Sequence, residues 1–299
     1  MMMPFGEDDR IAFGPLANEA RFLKDSGVSG IVVGGSMGEG AGLSEAELSE
    51  AVRIVREAVD DKLPVLAGII ADSSAEAVRL ARAARDAGAC GLQVPPPHFR
   101  PSSDTSILEE YYRAITDGSG LPLIIYNVIP TAEAAVDSLQ EIMDANPGVV
   151  GVKQSARNMH TLAALLATLR GKVKIFSAID DMVYPSFMLG VDGTISGTSA
   201  VFPRETRAIL EAVKSKDYRR ALSIHERLAP IWRVIDQPDF PARAKYVVTL
   251  TGRDVGRPRR PFRFPTGDAA REIEEVMSCS GFIAHDGRSD PTNVAADAL

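Results

Sequence analysis

Seven short apolar runs, each followed by a segment with helical spacing, constrain this chain more than any other feature. The runs are "GIVVGG" (30–35), "PVLAGII" (64–70), "CGLQV" (90–94), "PLIIYNV" (122–128), "VVGVK" (149–153), "VKIFS" (173–177) and "DGTIS" (192–196). They are nearly continuous in apolar character rather than alternating, as parallel strands covered on both faces require. Between them, stretches such as "LSEAELSEAVRIVREAVDD" (43–61) and "SSAEAVRLARAARDAGA" (73–89) repeat Ala, Leu and Val every three or four residues with charges between. That spacing makes helices with one buried face. Strand and helix alternating through short connections give a parallel α/β fold.

A closed (β/α)8 TIM barrel needs eight strands, and the deficit lies at the front. "ANEARFLKDSGVSG" (17–30) reads as the helix that follows a first strand, yet only "MMMPF" precedes it. The expectation is a (β/α)8 barrel with its first strand truncated, either as a stub or with part of it absent. The competing open doubly wound sheet calls for a glycine-rich phosphate loop after its first strand, and neither GxGxxG nor GxxxxGK[ST] occurs. Beyond residue 216 the strand signals stop. "SKDYRRALSIHERLAPIWRVI", "PARAKYVVTLTG" and "GDAAREIEEVMS" read as a C-terminal helical extension. The expected division is a barrel over 1–216, helices over 217–280 and a polar, disordered tail over 281–299.

Charge and cysteine usage narrow the function. A net charge of −7 argues against nucleic acid as partner. The basic stretch "GRDVGRPRRPFRF" (252–264) reads as a solvated connector, with an anion or subunit contact as the alternative. No apolar run is long enough to span a bilayer, and the start lacks the layout of a signal peptide. Cys90 and Cys279 read as reduced thiols of a cytoplasmic protein. No histidine has a neighbour at metal-ligand spacing, so no metal site and no cofactor are expected.

In parallel barrels the strands' C-terminal ends carry the chemistry. Ser36 and Glu39, His98, Tyr126 and Asn127, Lys153, Asp180 and Asp181, and Ser196 and Thr198 all fall there. Lys153 ends an apolar strand, where burying a cation is costly. Desolvation favours the neutral amine, which can attack a carbonyl. The alternative is a lysine paired with a carboxylate or reaching the barrel rim. Tyr126 ends the preceding strand, so both side chains reach one cavity. A phenol there can move protons, or simply fill the barrel top. "GGSMGEG" (34–40) can turn backbone amides towards an anion, although such a turn needs no ligand. His98, stiffened by three prolines, reads as a loop residue or a proton carrier. Asp180 and Asp181 suit a helix start.

Four segments in order resemble one family. "GGSMGEGAGLS" (34–44) resembles GxTGE, "YNVIP" (126–130) resembles YN[VI]P, "GVKQS" (151–155) resembles G[IV]K[ED][AS], and "GVDGTISGTSAVFP" (190–203) resembles GxxGxIS. Lys153 follows Tyr126 by 27 residues, close to the family's spacing. The family is that of dihydrodipicolinate synthase and N-acetylneuraminate lyase, class I Schiff-base-forming pyruvate aldolases, and the resemblance runs from about Pro4 to Ser278. It implies that Lys153 forms an imine with a 2-oxo acid, that Tyr126 transfers protons, and that Ser36 binds the carboxylate and relays protons. It places Met37, Gly38, His98, Ile195 and Ser196 at the substrate. It also implies a homodimer or homotetramer.

The departures carry information of their own. Met37 stands where the family has a second hydroxyl residue, which leaves more of the carboxylate to the amides of Met37 and Gly38. His98 stands at or beside a relay tyrosine. "TAEAA" follows "YNVIP" in place of the arginine that binds the aldehyde's carboxylate, and Ile129 lengthens that motif. Together they imply a substrate other than aspartate semialdehyde. The expected function is thus a lyase or aldolase acting on pyruvate or a substituted 2-oxo acid. Dehydration or deamination through the same imine, a catalytically silent keto-acid or sugar-acid binder, and a phosphate-binding barrel using "GTISGTSAVF" are the alternatives.

Overall fold

The computed structural model describes residues 1–99 and 104–284. Each apolar run folds as a strand: β1 (Ile31–Val33), β2 (Val65–Gly68), β3 (Gly91–Val94), β4 (Leu123–Asn127), β5 (Val149–Gln154), β6 (Lys174–Ser177) and β7 (Gly193–Thr194). All pairings are parallel, and the sheet order is the chain order, β1 to β7. Helices cover its outside: α1 (Phe13–Asp25), α2 (Glu45–Ala58), α3 (Ser74–Asp86), α4 (Thr105–Ser119), α5 (Val136–Ala145), α6 (Met159–Leu169), α7 (Val183–Leu189), the short α8 (Gly197–Val201) and α9 (Pro203–Lys214). Several of their starts carry side-chain caps. Ser44 and Glu47 close a capping box on α2, and Ser73 caps α3, which satisfies amides that have no partner inside the helix. Helix α1 starts at Phe13, before the expected residue 17, and ends by Asp25.

The front of the barrel is incomplete, as the strand count implies. Met1–Phe5 contributes no strand; Phe5 makes isolated bridges to Ile11 and Arg257, while Met2 and Met3 are fully buried. Strands β1 and β7 are not paired with each other, and a cavity of about 520 Å³ reaches in between them. The C-terminal helices α10 (Tyr218–Ile235), α11 (Phe240–Leu250) and α12 (Asp268–Cys279) follow. No described helix is long and apolar enough to cross a membrane. Both cysteines are free and exposed. The segment 285–299, most of the expected tail, lies outside the described residues.

The basic stretch 252–264 is not a solvated connector. Arg253 pairs with Glu19 at 2.5 Å and also donates to the carbonyl oxygens of Val201 and Ala200. Arg259 bonds Glu47 and the carbonyls of Gly42 and Asp9. The guanidiniums therefore strap the barrel's front to the loop after β1. A basic sequence reads as solvated because acidic partners more than two hundred residues away leave no local trace.

Candidate active site

Two adjacent strand ends set the geometry of the site. In the β4–β5 register Tyr126 lies opposite Lys153, so the parallel pleat points both side chains into the barrel. The Lys153 Nζ sits 3.5 Å from the centroid of the Tyr126 ring. Lys153 is 6% exposed and Tyr126 5%, and among the described residues Lys153 has no carboxylate within ion-pair distance. The Tyr126 hydroxyl in turn lies 3.2 Å from the Ser36 Oγ. Amine, phenol and hydroxyl thus share the wall of one cavity of about 900 Å³ at the C-terminal ends of the strands.

The loop after β1 is held in place by contacts from above and below. Ser36–Gly38 forms a single 3-10 turn, with the Gly38 amide donating to Gly35 O at 2.9 Å. That amide is occupied and cannot bind a substrate carboxylate, which corrects the expectation for Gly38. Gly38 is buried beneath the loop rather than lining the cavity. The amides of Ser36 and Met37 have no hydrogen-bond partner among the described residues, and both residues line the cavity. Glu39 continues the chain at φ 52, a conformation costly for a residue with a side chain. Its carboxylate accepts from Lys245 Nζ at 2.5 Å and from the Arg259 amide at 2.9 Å. From below, Gly68 of β2 lets the loop approach closely: a Cβ there would lie 2.5 Å from Gly34 O.

The remaining sequence-expected residues divide. Ile195 and Ser196 line the cavity, and Ser196 caps α8 by accepting from the Ser199 amide at 3.1 Å. His98 does not line it. Its amide donates to Asp72 Oδ1 at 2.6 Å, and its Nδ1 lies 3.3 Å from the same oxygen without making a hydrogen bond. Within one chain His98 is thus a loop anchor on Asp72 and not part of this cavity's lining. Asp180 is in the wall, where it accepts from the Thr198 amide at 2.6 Å. Desolvation pushes its carboxyl up to about 6, against the pull of the Thr198 hydrogen bonds and of Lys153. Asn127, fully buried, bonds the Ala134 amide, the Ala134 carbonyl and Gln154, fixing the loop beyond Tyr126. Sequence reasoning assigned no role to Trp232, Glu133 or Arg157, all of which line the cavity. Among the described residues no cluster of three or more His, Cys, Asp or Glu side chains is placed to hold a metal ion.

Comparison with known proteins agrees with this arrangement. The chain matches the Dihydrodipicolinate synthetase family over residues 1–279. It is 31% identical to the 4-hydroxy-tetrahydrodipicolinate synthase of Synechococcus sp. (strain CC9605), over 93% of this chain and 92% of that protein. It is 32% identical to the enzyme of the same name from Sorangium cellulosum, over 93% of each. Among solved structures it superposes on CdNal from Clostridium difficile in complex with mannosamine with a TM-score of 0.84 and 26% identity, covering 93% of this chain and 96% of that one. With the parallel barrel, the lysine–tyrosine pair on adjacent strands and a match over nearly the whole length, the chain belongs to the Dihydrodipicolinate synthetase family.

Proposed function

We propose that the chain is a Schiff-base-forming lyase acting on pyruvate or a substituted 2-oxo acid. Lys153 is its imine-forming amine, Tyr126 its proton-transfer phenol and Ser36 the hydroxyl next in the relay. The observation that carries this reading is the placement of the Lys153 amine over the Tyr126 ring, buried and without a carboxylate partner. The amine adds to the keto carbon, and a proton delivered through Tyr126 lets the hydroxyl of that adduct leave as water. The resulting iminium withdraws electrons from C3, so a bond from C3 can break or form. Ser36 Oγ, 3.2 Å from the phenol, passes the proton on, and the free amides of Ser36 and Met37 receive the carboxylate. Borohydride reduction in the presence of pyruvate, followed by mass spectrometry of the Lys153 peptide, tests this. An adduct on Lys153 is expected, and its absence across a panel of 2-oxo acids overturns the proposal.

The relatives are named as 4-hydroxy-tetrahydrodipicolinate synthases, but this chain's cavity carries an acidic side chain just beyond the Tyr126 strand. Glu133, which accepts from Gln154 Nε2 at 3.0 Å, follows the Tyr126 strand and lines the cavity, so the segment beyond that strand offers an anion and no cation. This favours a substrate other than aspartate semialdehyde. Assembly into a homodimer or homotetramer belongs to the same proposal. Phe99 at 81% exposure, in the β3–α4 loop, and Ile107 at 50%, in the first turn of α4, are apolar surface suited to a subunit contact.

A further inference from the structure

The cavity that holds the imine lysine has a carboxylate-rich polar side and an apolar side. Four carboxylates line the cavity, Glu133, Asp180, Asp181 and Asp236, against two side-chain cations, Lys153 and Arg157. Arg157 is paired with a carboxylate: its Nη2 lies 2.6 Å from Asp236 Oδ1. Glu133 and Asp180 are likewise bound, to Gln154 and to the Thr198 amide. Apart from the imine lysine itself, a second substrate anion would meet a cation already paired with a carboxylate, and several like charges. The surface that remains is made by Ile179, Ile195, Ala200, Phe240 and Trp232.

Trp232, near the end of α10, is seated by a glycine. A Cβ on Gly197 would lie 2.3 Å from Trp232 Cη2 and 2.6 Å from its Cζ3, with Asp180 Oδ1 at 3.4 Å. The ring edge therefore rests on the backbone at the start of α8, beside the strand ends, in space that any side chain at 197 would fill. A flat apolar surface held this way is suited to stacking with another ring.

We propose that this wall receives an uncharged, flat apolar group, so that the substrate is a 4-hydroxy-2-oxo acid with an aromatic substituent on C4 and Trp232 selects for it. The inference rests on the Schiff-base reading and names its substrate class. After the imine forms at Lys153 with loss of water, the C4 hydroxyl gives its proton to the Tyr126 relay and the C3–C4 bond breaks. Its electron pair passes into the iminium to give an enamine, and C4 leaves as the carbon of an aromatic aldehyde. The enamine takes a proton at C3, and water hydrolyses the imine to release pyruvate. The hydroxy-keto acid has then become one aldehyde and one pyruvate, with no oxidant or reductant used.

The test runs the aldol in the condensing direction, with pyruvate and each of benzaldehyde, glyceraldehyde and succinate semialdehyde, beside borohydride trapping with pyruvate alone. The expected kcat/KM for benzaldehyde is at least tenfold above the other two. Trp232→Ala is expected to lower it at least tenfold while pyruvate trapping at Lys153 is unchanged, and Trp232→Phe, which keeps a flat ring, to retain most of the preference. Trapping with a preference for glyceraldehyde or succinate semialdehyde, or with no turnover of benzaldehyde, overturns the inference and leaves the Schiff-base reading standing. So does an equal loss on all three aldehydes in both Trp232 variants. No trapping at all removes both.

Discussion

The amine of Lys245 on α11 lies 2.5 Å from the Glu39 carboxylate in the loop after β1, and the two side chains are 0% and 8% exposed. The same amine donates to Arg257 O at 2.7 Å. Burial pushes the Lys245 amine down, and Glu39 partly offsets this. The pair ties the C-terminal helices to the loop that carries Ser36. Breaking one side of such a pair leaves an uncompensated charge in a dry site. Lys245→Met is therefore expected to cost about 3–5 kcal/mol, measured by urea unfolding. Adding Glu39→Gln should recover part of that loss, because no charge is then stranded.

Gly68→Ala tests the support from below. The new Cβ would lie 2.5 Å from Gly34 O and 2.8 Å from the Gly35 nitrogen, so the loop must shift. A cost of about 1–3 kcal/mol is expected for this overpacking. In steady-state kinetics KM for the keto acid should rise more than kcat falls, since the displaced groups are those proposed to hold the carboxylate.

Tyr126→Phe removes the proposed proton carrier and keeps the ring beneath the amine. Turnover is expected to fall by about 10²–10⁴-fold, while borohydride still traps keto acid on Lys153, more slowly. Ser36→Ala should produce a smaller fall in the same direction, because water can replace the outer member of the relay.

Asp180 gives a pH signature. Its folded carboxyl keeps a proton until about pH 6, above its ordinary value of 3.8. Between those values the folded state binds more protons than the unfolded one, so this group's contribution to stability falls as the pH rises. Asp180→Asn is free of that loss. Relative to the parent, the variant should gain stability from pH 4 to pH 7, by up to about 3 kcal/mol, read from paired urea titrations. A constant difference across that range would show that the carboxyl is not perturbed.

The strands, and the grouping of side chains at the candidate site, were readable because local rules fix them. A continuous apolar run makes a two-sided buried strand, and a polar residue at its C-terminal end faces the cavity, which is why Lys153, Tyr126 and Ser36 could be named together. Long-range polar contacts could not be read. Lys245 occupies a helical stretch, "PARAKYVVTL", that gives no hint of Glu39, 206 residues earlier. The error over Gly38 has a local cause. Glycine-rich sequence shows that amides can turn inward, but not which of them the 3-10 turn consumes. Trp232 escaped notice because it lies on a helix outside the strand pattern, and only the fold brings it over Gly197.

The central claim is that Lys153 is the amine that reacts. Pyruvate and sodium borohydride added to the intact protein should raise the mass of one peptide, that containing Lys153, and Lys153→Arg should abolish the gain while retaining the fold by circular dichroism. Stoichiometric adduct at Lys153 in the parent and none in the variant is the predicted result. Label on another lysine, or none with any 2-oxo acid, would contradict it.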